Sequence, residues 1–321
     1  MTTVKQLVTM TLVGFCSLPA VLWADRMSNA TSVVSLDYCA DQYVLKLVAH
    51  DRVLSLSKDS TREFAYMREA ARDFPKVRPV AEDIIALQPD LIVRTYGGGP
   101  NITQFFTRLD IPVLQIGYAN TVDSIKDVIN TVAMQLGVPQ TGDNIIADME
   151  RRIAALPQSA QARQTLYVTP GGVTGGPGTL VNSMMTVAGV ANYQTQSGWR
   201  SLPLEALAYE KPHLVATAFY GDKTSHGNFW SAARHPVIRD QLGTTESVAL
   251  RGATTACGGW FIVDAIELLA SAAAGVENAA GVENAAGVEN AAEVENAAGV
   301  DSAASVNSAT KIDNPAKAAS R

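Results

Sequence analysis

Two segments of this chain are built on one plan. Glu82 opens EDIIALQPDLIV and Glu205 opens EALAYEKPHLVA. In each, Pro follows the Glu by seven positions, one residue intervenes, and Leu begins an apolar run. Glu in the first turn of a helix complements the helix dipole. Pro cannot continue a helix. Each copy therefore predicts a short helix, stopped at its Pro, feeding a buried strand. One such corner arises readily by convergence. Two, with Glu82 and Glu205 123 residues apart, predict a chain made of two related units.

The surrounding pattern agrees. Short runs rich in β-branched residues occur at Ser32–Asp37, Arg52–Ser57, Asp90–Tyr96, Pro112–Gly117, Thr165–Pro170, His213–Phe219 and Ser247–Gly252. Many are apolar on successive positions, as strands covered on both faces are. Helical patterns such as Thr121–Leu136 and Leu202–Glu210 fall between them. Alternation of this kind predicts an α/β fold: two Rossmann-like lobes with parallel sheets. Thr141–Leu156 places Ile145, Ile146, Met149, Ile153 and Leu156 near helical spacing, with Asp143 early, Arg151 and Arg152 late and Pro157 as the stop. It is expected to be a single long helix joining the lobes, spanning about 30 Å if it runs to about twenty residues. A helical connector bends less readily than paired strands, so modest lobe closure is expected. The expected division is 25–138 for the first lobe, 139–160 for the connector and 161–272 for the second lobe.

The two ends are not part of that fold. Residues 1–24 read as a secretory signal peptide: Lys5, then an apolar stretch from Leu7 to Trp23 interrupted by Pro19, then Ala24 before Asp25 and Arg26. An uncleaved anchor is the alternative, and Phe15 before Cys16 does not suit a lipoprotein signal. From Ala274 to Ala309 the chain repeats every six residues as AGVENA and its variants. One Val per copy is too little apolar surface to offset the entropy of ordering a solenoid, so 273–321 is expected to be a disordered acidic tail.

Composition and motifs exclude several functions. A formal charge of -6 lacks the basic surface that phosphates require, so nucleic acid is not an expected partner. G-x-S-x-G, G-x-x-x-x-G-K-[ST] and H-E-x-x-H are all missing, so no enzyme is expected and no catalytic residue is assigned. The Gly-rich stretch Gly171–Gly178 lacks nucleotide-loop spacing and reads as a turn at a lobe edge. His50, His213, His226 and His235 are scattered, and no metal site is assigned.

Aromatic residues, by contrast, collect in loops at the ends of predicted strands, where α/β folds bind ligands. Tyr38, Tyr96 and Tyr118 follow strands of the first lobe. Trp199 precedes the second Glu segment, Tyr220 follows a strand of the second lobe, and Trp260 lies just after Cys257. Flat apolar ligands want such surfaces with a few polar anchors. Arg94 and Arg251 are the nearby cations that could pair with carboxylates or catecholates. Core or rim packing is the ordinary role of any one of these rings. Cys39 and Cys257 are open to a disulfide in an exported chain, to a life as two buried thiols, or to metal binding.

The segments VVSLDYCADQYVLKLVAHDRVLSLS, PVAEDIIALQPDLIVRTYGGGP, IPVLQIG, WRSLPLEALAYEKPHLVATAF and CGGWFIVDAIELL together resemble the periplasmic substrate-binding proteins of ABC importers for ferric siderophores, haem and cobalamin. The resemblance runs from about Ser32 to Ser271. It implies two lobes joined by a long helix, a metal-chelate ligand held between them by a monomer, no resident cofactor, and delivery to a transmembrane permease. It also implies that Glu82 and Glu205 form salt bridges with arginines of the permease. Trp199 takes the place of a ligand-contacting Trp in the cobalamin binder, whereas Lys76 and Thr95 stand where other aromatic residues of that binder would be. The alternative functions are a periplasmic binder of free zinc or manganese and, from a different class, an enzyme on two α/β lobes.

Overall fold

The computed structural model describes residues 25–159, 161–219 and 231–275. The expected signal peptide, the repeat tail beyond Gly275, Tyr220 and His226 lie outside the described residues.

The first lobe opens with β1 (Val33–Ser35), α1 (Tyr38–Leu47), β2 (Val53–Ser57) and β3 (Lys76–Val77). It continues with α2 (Ala81–Ala86), β4 (Leu91–Arg94), α3 (Ile102–Arg108), β5 (Val113–Gln115) and α4 (Val122–Gln135). Its five strands are all parallel, in the order β3-β2-β1-β4-β5. The connector α5 (Pro139–Ala154) leads to β6 (Gln164–Val168), β7 (Val173–Gly175), α6 (Leu180–Val187), β8 (Ala191–Asn192) and β9 (Trp199–Ser201). The chain then forms α7 (Leu204–Leu207), β10 (Leu214–Ala218), α8 (Pro236–Thr244), β11 (Ser247–Leu250) and α9 (Ile262–Ala273). The second parallel sheet has the order β11-β10-β6-β8, and β7 with β9 forms a separate antiparallel pair.

The sheets share one topology. The opening strand of each, β1 or β6, has the next sheet strand on one side (β2 or β8). On its other side lie two later strands, β4 then β5 or β10 then β11. The helices bearing Glu82 and Glu205 are α2 and α7, and they feed the equivalent strands β4 and β10. The duplicated segment is thus the same corner of the same fold used twice.

Burial follows the alternation of the strands. Val33, Leu91 and Val93 face one large core, and Val34 and Ile92 face a smaller one shared with Ile84 of α2 and Phe106 of α3. In the second sheet Leu214, Ala216 and Ala218 face the large core, while Val215 faces Leu207 of α7 and Ile238 of α8. The inner faces of both sheets, with α1, α4, α5, α6 and α9, belong to that one large cluster.

The connector begins at Pro139 rather than Thr141, since Pro is suited to the first helical turn. Its 16 residues span about 24 Å, less than the expected strut. Gly142 lets α5 close on α4, because a Cβ there would lie 2.6 Å from that of Ala133. Near its end, Arg152 pairs with Asp264 at 2.7 Å and Glu267 at 2.6 Å, locking the connector to α9. Leu202–Glu210 is helical only over the four residues of α7, starting after Pro203.

Candidate functional site

At the carboxyl end of β1 the chain reaches Asp37, which caps α1: Ala40 N–H donates to its Oδ1 at 3.0 Å. Its Oδ2 accepts from the N–H groups of Thr95, Tyr96 and Gly97 at 2.7, 3.0 and 2.9 Å. One buried carboxylate thereby ties the loop after β4 to the start of α1. Only Gly fits at position 97, where a Cβ would come within 2.3 Å of the Leu36 carbonyl oxygen.

This tie sets Tyr38 and Tyr96 side by side, ring centroids 6.1 Å apart and edge to face. Phe64, from the loop between β2 and β3, packs on Tyr38 at 4.5 Å. Burial, and then the charge of Asp37, raise the Tyr38 pKa, while a hydrogen bond with Tyr96 pulls it the other way. Burial also raises that of Tyr96, although 53% of the residue remains exposed. The three rings form an aromatic step with one open side.

Tyr118, 81% exposed, stands in the loop after β5. Two residues on, Asn120 Nδ2 donates to the Gly178 carbonyl at 2.7 Å, joining this loop to the second lobe. Val122 N–H donates to Ser183 Oγ at 3.3 Å beside it. On the second lobe Trp199 is 52% exposed and pairs in register with Gly175. It lies on β9, not in a loop, and its ring meets Tyr167 edge to face at 6.3 Å. The stretch Gly171–Gly178 is the loop and strand that carry this pairing, with Gly176 N–H donating to the Gly198 carbonyl at 2.9 Å.

The remaining residues sit differently from their expected setting. Trp260 packs against Tyr43 at 5.6 Å with the Lys46 ammonium 5.7 Å from its ring, so it serves the contact between α1 and the segment before α9. Arg251 is exposed, its guanidinium 5.8 Å from the ring of Tyr66. Tyr66 donates its O–H to Asp264 Oδ2 at 2.8 Å and stacks on Phe261. Arg94 is buried and donates from Nη1 to Thr103 Oγ1 at 3.1 Å, on the α3 side of the sheet. Phe64 and Tyr66 escape a reading by strand ends because they lie in an irregular connection. The aromatic pair in FAYM, inside a polar stretch, is the signal that could have found them.

Cys39 and Cys257 are joined by a disulfide, with Cα atoms 5.7 Å apart. Among the described residues no three His, Cys, Asp or Glu side chains converge as a metal site would require. A cavity of about 600 Å³ opens beside the Asn120–Gly178 contact, lined in part by Asn182, Ser183 and Glu150. None of the aromatic residues above lines it, and Lys126 there is already paired with Asp123 and Glu150. The aromatic strand ends are the better candidate site.

Glu82 and Glu205 each occupy the first turn of a short helix, and both are exposed. Neither takes part in a salt bridge within the described residues. Arg78, close to Glu82, is held instead by Asp83 at 2.6 and 2.9 Å.

Residues 33–227 match a protein family described as periplasmic binding protein. The chain belongs to the periplasmic binding protein family. No protein of curated function matches it. Its fold is similar to that of a periplasmic haem-binding protein from Pseudomonas aeruginosa, with a TM-score of 0.62 and 20% identity over 78% of this chain and 94% of that one. It is similar, too, to the periplasmic haem-binding protein of Roseiflexus sp. RS-1 in apo form, with a TM-score of 0.61 and 22% identity over 77% and 99% of the two chains. The periplasmic vitamin B12-binding protein of Vibrio cholerae matches with a TM-score of 0.53 and 18% identity over 76% and 96%.

Proposed function

We propose that this binding protein captures a metal chelate (a ferric siderophore, haem or a corrinoid) between its two lobes. It then delivers the chelate to the permease of an ABC importer, catalysing no reaction. The observation that carries this reading is the placement of exposed rings on both sides of the lobe seam. Tyr118 lies two residues from Asn120, and Trp199 pairs with Gly175, three residues from Gly178. The step of Tyr38, Phe64 and Tyr96 adds apolar surface in the first lobe. A large flat ligand gains most from such rings, with a few polar groups fixing its orientation. Solved proteins of the same fold that bind haem and vitamin B12 support the ligand class.

In this reading Tyr38, Tyr96, Tyr118, Trp199, Tyr220, Arg94, Arg251 and Trp260 serve the ligand, directly or by shaping the site. Glu82 and Glu205 dock the permease, and residues 1–24 direct export to the periplasm. The test is a tryptophan-quenching titration of the purified protein with haem, cobalamin and several ferric siderophores. Saturable one-to-one quenching by one of them is expected. Flat titrations with all of them would overturn the reading.

A further inference from the structure

The irregular connection between β2 and β3, residues 58–75, belongs to the first lobe but is fastened to the far end of the chain. Near its middle, Tyr66 donates its O–H to Asp264 Oδ2 at 2.8 Å and stacks on Phe261, ring centroids 4.7 Å apart. Asp264 Oδ1 accepts from Arg152 at 2.7 Å, and Arg152 also holds Glu267. The two acids lie on α9 and Arg152 lies on the connector. Burial first, and then the bond to Asp264, push the Tyr66 pKa up to about 12, so the hydroxyl remains a donor. Stacking on Phe261 needs no hydroxyl, and a phenylalanine would pack there as well. What the tyrosine adds is a bond to a charged acceptor, and such bonds are the strong ones. Two residues earlier, the same connection carries Phe64, whose ring packs on Tyr38 in the aromatic step. Ala65 between the two rings is fully buried. Met67 N–H donates to Oε1 of the buried Gln42 at 2.7 Å, and Gln42 Nε2 donates to the Tyr38 carbonyl at 2.7 Å. No helix or strand fixes this stretch, so these few anchors set where Phe64 lies.

We propose that Tyr66 is a positioning residue of the ligand site: its bond to Asp264 straps the connection to α9 and the connector, and so holds Phe64 against Tyr38. This rests on the binding reading above and deepens it, because a ligand resting on the aromatic step then bears on the frame that joins the two halves of the chain, and not on the first lobe alone. Tyr66 acts through Phe64 and does not itself touch the ligand. Removing its hydroxyl leaves Asp264 still paired with Arg152, so no buried charge is stranded and the fold has no reason to fail.

The experiment compares wild type, Tyr66→Phe, Phe64→Leu and the double variant in two measurements. The first is a tryptophan-quenching titration with haem, cyanocobalamin and a ferric tris-catecholate. Tyr66→Phe is expected to weaken the tightest-binding probe about tenfold, in keeping with the loss of one bond to a charged acceptor. In the Phe64→Leu background the same change is expected to alter affinity by less than about twofold, because the ring it positions is gone. An affinity of Tyr66→Phe within about twofold of wild type, or an equal loss in both backgrounds, overturns the proposal. A residue that served only general stability would show that equal loss. The second measurement is amide hydrogen exchange of the ligand-free proteins. Tyr66→Phe is expected to speed exchange at Ala65 and Met67 about tenfold while the amides of α9 keep the wild-type rate. Wild-type rates at Ala65 and Met67, or faster exchange throughout the molecule, overturn the proposal even if no probe binds. Absence of binding by every probe would sink the chelate reading instead, leaving the exchange rates to decide on Tyr66.

Discussion

Asp41 lies fully buried on α1, its Oδ1 and Oδ2 accepting from the N–H and hydroxyl of Ser57 at 3.0 and 2.6 Å. Burial outweighs those bonds, and with a smaller push from Asp37 it lifts the Asp41 pKa to about 6. In the unfolded chain the same group titrates near 3.9. The folded state therefore keeps its proton where the unfolded state has lost it. The stability due to this group is fully present below about pH 4 and is lost as pH rises through about 6. Asp41→Asn, locked neutral, is expected to gain on the wild type across that window by up to about 3 kcal/mol. Urea unfolding of both proteins at several values between pH 4 and 7 checks this. A stability difference that stays constant with pH would contradict it.

Among the elements, α1 and α9 hold the two halves of the chain together. Cys39 on α1 is bonded to Cys257, 218 residues away and just ahead of α9. Tyr43 of α1 adds a hydrogen bond from its hydroxyl to the Gly258 carbonyl at 2.9 Å. Closing so long a loop removes much of the unfolded chain's freedom, by about 5 kcal/mol at most in the entropic account. The Cys39→Ser, Cys257→Ser protein is expected to be less stable by about 3–5 kcal/mol in denaturant titrations. Coincident unfolding curves for the two proteins would show that the covalent link adds nothing to the packing of α1 against α9.

At the scale of the whole molecule, the equivalent corners present Glu82 and Glu205 as exposed acids without salt bridges in the described residues. Each has exposed apolar neighbours, Val80 and Ile85 on the first lobe and Tyr209 on the second. Neither acid contributes to a core, so packing gives no reason for their matched placement. In the proposed function the reason is docking on the permease. The double variant Glu82→Ala, Glu205→Ala is expected to lose ligand transport in cells carrying the importer while its quenching titration stays unchanged. Transport at the wild-type rate would remove the docking role. The single large core beneath both sheets makes wide lobe opening costly, so handover is expected to need little movement.

The sequence by itself determined the two-unit plan, because the signals for it are local. A Glu, a Pro seven residues on and a buried apolar run declare a helix–strand corner within about a dozen residues, and two copies declare the repeat. Tertiary structure alone decided the rest. It chose the disulfide among three fates for Cys39 and Cys257, turned Arg94 toward α3, set Trp260 against Tyr43 and brought Phe64 onto Tyr38. These outcomes depend on contacts between distant segments. Their geometry follows from how sheets, helices and irregular loops fill one shared core, and no periodicity along the chain encodes it.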